Sequence, residues 1–224
     1  MTHSRAVAPL LLGLMVMLLA ACAGGPQRPL VDDPARAWQQ HRSQLQALEG
    51  WHLSGRIAVQ AEARGWHARL QWLQEAEHYE VQLGGPLGRG GARLQGDPSG
   101  VWLENGETRT FAATPEGLLY HQTGWRLPVS GLRYWVLGLP APEAAAQVVL
   151  DRHGQLAGLE QAGWRIAYER YAVTETGLPL PDRLTLRSDE VEVRLLIDRW
   201  GLATVEPPTA PIRRPPPRQV NDGG

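Results

Sequence analysis

The chain has a single cysteine, no lysine, one phenylalanine and no apolar run long enough to cross a membrane as an ordinary helix. One cysteine rules out an intramolecular disulfide, so any core must stand on burial alone, and 224 residues are enough for one domain with a sizeable core. Every basic residue is arginine, which reads as codon usage rather than chemistry. Formal net charge is only -1, and no basic run or stripe stands out along the sequence, so a nucleic-acid partner is not expected. Recognisable catalytic motifs are missing too. There is no G-x-S-x-G, H-E-x-x-H, C-x-x-C or phosphate-binding G-x-x-x-x-G-K-[ST]. His41, His52, His67, His78, His121 and His153 are scattered, and no pair has the helical spacing of metal ligands. Carboxylates are equally dispersed. An enzyme is therefore disfavoured, and no cofactor or metal is expected.

The first 21 residues are what is present in place of a membrane span. Arg5 precedes an apolar run from Pro9 to Ala21, the length of a signal-peptide core. It ends in Leu19-Ala20-Ala21-Cys22, which resembles the lipobox of bacterial lipoproteins; an ordinary secretory signal that happens to end at a cysteine is the other reading. The lipobox implies that the signal is removed before Cys22, that the Cys22 thiol receives a diacylglycerol, and that the new amino terminus is acylated. Ala23, in place of the aspartate that holds lipoproteins in the inner membrane, implies sorting to the outer membrane. Residues 22–33, rich in glycine and proline, are expected to tether lipid to domain, reaching roughly 36 Å over about 11 residues.

Asp33-Pro34 then reads as a helix start. Trp38, Leu45 and Leu48 share one face of a helix expected to end near Leu48. From Trp51 the period changes to two. Trp51, Leu53, Gly55, Ile57 and Val59 alternate with polar partners, as do Trp66 to Trp72 and Tyr79 to Leu83. Such runs predict half-buried antiparallel strands. Further strands are expected near 91–95, 101–103, 108–111, 147–150, 155–160, 164–171, 183–187 and 191–197. Two helices interrupt them: one opened by Thr114-Pro115-Glu116 and reaching about Gln122, and one from Ser130 to Leu137 stopped by Gly138 and Pro140. The fold class is mainly β with a few helices: about eleven strands, in sequence order, in a meander that curls into a barrel or half-barrel over residues 34–205. Residues 206–224, nearly a third proline, have almost nothing to bury and are expected to be disordered. The inner face of such a sheet lines either a packed core or a cavity. Nine tryptophans against one phenylalanine suit either, since large stiff rings fill a core or wall a cavity.

Between the third and fourth strands lies Gly84-Gly85-Pro86-Leu87-Gly88-Arg89-Gly90-Gly91. Its composition makes a loop, yet its centre is a leucine that so many glycines cannot easily bury. A leucine folded back on the sheet, a dimer contact and a deliberately exposed apolar tip all remain open.

The chain resembles the LolB family of outer-membrane lipoprotein receptors. The likeness is carried, in order, by Ser54-Gly55-Arg56-Ile57-Ala58-Val59, the strand Ala68 to Trp72, Gly85-Pro86-Leu87-Gly88, Leu132-Arg133-Tyr134-Trp135-Val136-Leu137-Gly138-Leu139-Pro140, Gly163 to Tyr168 with Tyr171, Leu178-Pro179, and Leu195 to Trp200. Only the proline-rich tail departs from the family pattern. The resemblance implies a curved antiparallel half-barrel covered by helices, with an apolar cavity between them for acyl chains. On strand alternation the cavity candidates are Leu53, Ile57, Leu70, Trp72, Val81, Leu83 and Trp164, with Trp135 and Leu139 in a lid. It implies that Leu87, flanked by Pro86 and Gly88, serves membrane delivery. Implied partners are a periplasmic lipoprotein carrier, the acyl chains of cargo lipoproteins and outer-membrane lipid; a monomer, lipid-anchored and facing the periplasm, is expected. A structural or assembly lipoprotein binding a protein partner, and a lipid-modifying enzyme, are the competing readings.

Overall fold

A computed structural model describes residues 30–61, 64–84, 91–142 and 144–202. Cys22, Pro86-Leu87-Gly88, the expected signal and the proline-rich tail lie outside the described residues. The elements are α1 (Pro34–Gln46), β1 (Gly50–Ala61), β2 (Arg64–Glu75), β3 (His78–Gly84), β4 (Gly91–Asp97), β5 (Gly100–Asn105), β6 (Thr108–Ala112), α2 (Pro115–Thr123), α3 (Val129–Trp135), β7 (Ala146–Leu150), β8 (Leu156–Gln161), β9 (Trp164–Val173), β10 (Pro179–Arg187) and β11 (Val191–Leu202). The helix starts follow their local chemistry. The Asp33 carboxylate accepts from the Arg36 backbone N–H at 3.0 Å, and the Thr114 hydroxyl accepts from that of Gly117 at 3.3 Å, each with proline in the next position. Pro128 offers α3 no such cap; the Glu116 carboxylate, from α2, accepts from the Ser130 N–H at 2.7 Å instead.

All eleven strands form one antiparallel sheet, in the order β6-β5-β4-β3-β2-β1-β11-β10-β9-β8-β7. This corrects the expected order: the sheet is two meanders joined by their first and last strands, β1 against β11. The edges β6 and β7 do not pair, so the sheet is an open half-barrel. The chain between those edges is the part that carries α2 and α3. The central β1–β11 ladder runs from Trp51↔Leu202 to Ala61↔Val191. It also extends β11 beyond the expected end at Ile197. The polar pair Asp198-Arg199 breaks the alternation, but a bulge opposite Ser54 and Gly55 absorbs the extra residue and returns Trp200 to the inner side. There its indole N–H donates to the Pro181 carbonyl at 2.9 Å and its ring meets Trp51 at 5.6 Å.

One continuous apolar core lies on the inner face, joined by residues of the three described helices. α1 ends two residues before the expected Leu48, which packs, half-buried, against that core. α1, in contact with the edge strand β7, buries Trp38, His41 and Leu45. His41 Nε2 has no hydrogen-bond partner among the described residues. Burial lowers the His41 pKa below its ordinary 6.5, opposed in part by the Asp151 carboxylate. A histidine held neutral in the fold and protonated in the unfolded chain contributes stability that is present above the unfolded pKa and is lost as pH falls through it. We therefore expect the melting temperature to drop below about pH 6.5, and a His41→Gln chain to lack that component of the drop. Parallel acid-side melting curves for both proteins would show the difference; superimposable pH slopes would refute it.

Candidate functional site

Strand register arranges the inner face as rows of apolar side chains. Trp200, Leu53, Trp72, Val81, Leu94 and Leu103 stand opposite one another on six consecutive strands. Below them Leu70 pairs with Leu83, and Ile57 lies between Leu195 and Ala68. Leu53, Leu70, Trp72, Val81, Trp135, Leu139 and Trp164 are buried in this core, and Ile57 and Leu83 pack half-buried against it. Alternation along each strand, combined with the register, puts the early-strand candidates on one side of the sheet.

The row is roofed. α3 and the turn after it press Leu132, Trp135, Val136, Leu137 and Leu139 onto the inner face, all buried. Gly138, at a φ of 80°, makes the reversal that α3 needs to end, a backbone conformation that glycine adopts without strain. A few polar groups hold the roof down. Gln161, at the end of β8 and buried, uses its whole amide. Its carbonyl oxygen accepts from the Trp135 indole N–H and the Ala141 N–H, each at 2.8 Å, and its NH2 donates to the Ala141 and Ala144 carbonyls, each at 2.7 Å. Tyr168 donates its hydroxyl to the Trp135 carbonyl at 3.0 Å. Burial, with the neighbouring Tyr171, raises the Tyr168 pKa well above its ordinary value, so the phenol stays a donor across the physiological range.

Beside the roof is an opening of about 610 Å³. Its apolar wall comes from Trp38 and Leu45 of α1, Trp51 of β1, and Leu137 and Leu139 of the roof; Arg42, Glu49, Glu77 and Arg133 stand at its polar margin. Its volume is in the range of about 300–1,000 Å³ typical of small-molecule sites. At the inner end Gln74, also buried, accepts from the Trp72 indole N–H at 3.2 Å and donates to the Ala76 carbonyl at 2.8 Å, fixing the ring that lies against Trp51. Of the cavity candidates, Leu139 lines this opening and Trp72 lines a smaller one of about 160 Å³ with Tyr79, Val129 and Arg133; most of the others are packed in the core. Sequence reasoning missed Gln74 and Gln161. The signal was there: each is a polar residue in an inward register position, two residues after Trp72 and Leu159 respectively.

A family model described as "Outer membrane lipoprotein LolB" matches residues 49–200, from the start of β1 almost to the end of β11. The outer-membrane lipoprotein LolB of Pseudomonas savastanoi pv. phaseolicola is 44% identical over 190 residues, covering 83% of this chain and 92% of that protein. This chain belongs to the LolB family of outer-membrane lipoproteins. The LolB of Stutzerimonas stutzeri is 41% identical over 194 residues, covering 85% of this chain and 94% of its own length. Among solved structures, a LolA-superfamily protein from Nitrosomonas europaea is 11% identical, with a TM-score of 0.49 over 76% of this chain and 94% of that one. The matched LolB region contains the whole roof, Gln74 and Gln161. No helix among the described residues is long and apolar enough to cross a membrane.

Proposed function

We propose that this LolB-family chain is a receptor that takes acylated lipoproteins from a periplasmic carrier and passes them into the outer membrane without ATP, and that it is not an enzyme. The observation that carries the reading is the roofed apolar row. A six-strand stripe of inward hydrophobic side chains shares one core with side chains of α2, α3 and the turn after α3, with an opening beside that turn. An acyl chain of about sixteen carbons gains ~13 kcal/mol on leaving water, at about 0.8 kcal/mol per methylene. Cargo therefore passes from one apolar site to another rather than through water. Displacing a roof side chain such as Leu137 costs about 1.5–3 kcal/mol, so an entering chain offsets the removal of several such residues. Transfer then runs on differences in affinity along carrier, receptor and bilayer. Acyl groups on Cys22 supply the anchor, and Leu87 at the tip of the loop between β3 and β4 supplies the contact with the receiving membrane.

The test is transfer in a defined mixture. Purified lipidated protein is incubated with a carrier loaded with lipoprotein, in the absence of nucleotide, and cargo is followed onto the receptor and then into liposomes. Cargo is expected to move, and an unlipidated form of the same cargo to leave a bound fluorescent acyl probe undisturbed. Leu87→Glu is expected to leave pick-up intact and slow delivery about tenfold or more, the equivalent of the 1.5–3 kcal/mol a leucine gains in lipid. Cargo that stays on the carrier would sink the receptor reading, and delivery by the Leu87 variant at the unmodified rate would sink the role of the loop.

A further inference from the structure

The sheet's outer face carries a feature that the sequence does not display. Following the register across the strands, Arg170 of β9 stands opposite Arg183 of β10, Arg183 opposite Leu196 of β11, Leu196 opposite Arg56 of β1, and Arg56 opposite Arg69 of β2. Arg69 stands opposite Gly84 of β3, the last residue of that strand, after which residues 85–90 lead to Gly91. The row crosses six strands, roughly 24 Å at about 4.8 Å per strand. All four arginines are exposed, and Leu196 is half-buried between them. Like charges directly opposite each other in a sheet are unfavourable, and this row holds two such pairs. In each, one member is compensated: Arg56 by Asp198 at 3.1 Å, and Arg170 by Asp182 at 2.7 Å. Arg69 and Arg183 have no acidic partner among the described residues. Both line an outer-face groove of about 670 Å³. Arg187 and Arg194 also line it, both drawn towards Glu192, and Glu169 is its one lining carboxylate among the described residues, occupied by the Thr185 hydroxyl at 2.6 Å.

We infer that this arginine row is a docking surface for the anionic phosphates of the outer-membrane bilayer, and that it turns the receptor so that the β3–β4 loop meets the lipid. The inference rests on the receptor reading above. Guanidinium forks bind phosphate oxygens bidentately. A row of cations with a leucine between them matches a surface of repeated phosphates over an apolar layer. The row ends at the base of the loop that holds Leu87, and the lipid anchor expected on Cys22 keeps the domain close to the bilayer. Electrostatic attraction and one inserted leucine are each weak, and together they select an orientation.

The experiment uses the mature chain from residue 22, which contains every described element, prepared without acyl groups. Binding is measured to vesicles of phosphatidylcholine alone and of phosphatidylcholine with phosphatidylglycerol. Wild type is expected to prefer the anionic vesicles and to lose that preference in high salt. Arg69→Gln with Arg183→Gln is expected to weaken anionic-vesicle binding about thirtyfold, at the usual contribution of each basic residue near a charged bilayer. Arg36→Gln with Arg152→Gln, the same charge change on exposed residues away from the row, is expected to leave binding within about twofold. Equal loss in the two double variants would reduce the effect to net charge and overturn the inference. So would unchanged vesicle binding in the row variant, and if pick-up from a loaded carrier fell instead, the groove would belong to an acidic protein partner. Pick-up of cargo in solution by wild type, which needs no vesicle, reports on the receptor reading separately.

Discussion

Gln161→Leu is expected to lower stability by about 3–5 kcal/mol. The leucine fits the space of the amide but leaves the Trp135 indole N–H and the Ala141 N–H and carbonyl facing apolar surface, at about 1–3 kcal/mol for each group that stays buried. The Ala144 carbonyl belongs to an exposed residue and can turn to water. For a domain of this size the change corresponds to a melting temperature lower by roughly 6–20 °C. The loss is localised: amide exchange should accelerate first at Leu137, Gly138 and Leu139, whose N–H groups close the turn after α3. If the roof must lift before an acyl chain can enter, a loosened roof also raises the apparent affinity for an acyl probe, because less binding energy is spent on opening. An unchanged melting temperature with unchanged exchange at those amides would show that Gln161 does not hold the cover.

Gly55→Ala is the second large expected effect. Gly55 sits in β1 at the bulge that joins the two halves of the sheet. A methyl group there would overlap the Leu196 carbonyl and lie 2.9 Å from the Ile197 Cα. Both are backbone atoms of the central strand β11, so no rotamer change relieves the contact. Destabilisation of about 3 kcal/mol is expected, the upper end of ordinary overpacking, or roughly 6–12 °C in melting temperature. Gly84→Ala is the control: its nearest neighbour would be the Arg69 Cβ at 3.6 Å, an ordinary contact, and it should cost about 1 kcal/mol or less. Equal melting temperatures for the two variants would mean that the β1–β11 junction yields more easily than its geometry implies.

Much of the architecture was legible locally. The change from helical to two-residue period at Trp51 marked the first strand, and each expected strand exists, most of them longer by a few residues. Asp33-Pro34 and Thr114-Pro115 marked their helices because a cap is made within four residues of chain. The ends were less legible. β11 runs on past Asp198-Arg199 because a bulge forgives the broken alternation, and α3 starts at Val129 because its cap comes from Glu116, fourteen residues away. The sequence also shows no basic stripe, yet one exists. Its arginines are spread from Arg56 to Arg183, and only cross-strand register lines them up.

Sequence by itself determined which residues face inward and where most strands and helices begin in a β-rich domain. Those features follow from backbone periodicity and short-range hydrogen bonds, which act over a handful of residues. Tertiary structure decided that β1 closes on β11, that α3 roofs the apolar row under the Gln161 amide, and that four arginines form one line on the opposite face. Each of those depends on pairing between segments far apart in the chain, such as Arg56 with Asp198 across 142 residues. That choice is made by the fit of whole faces, which no local pattern contains.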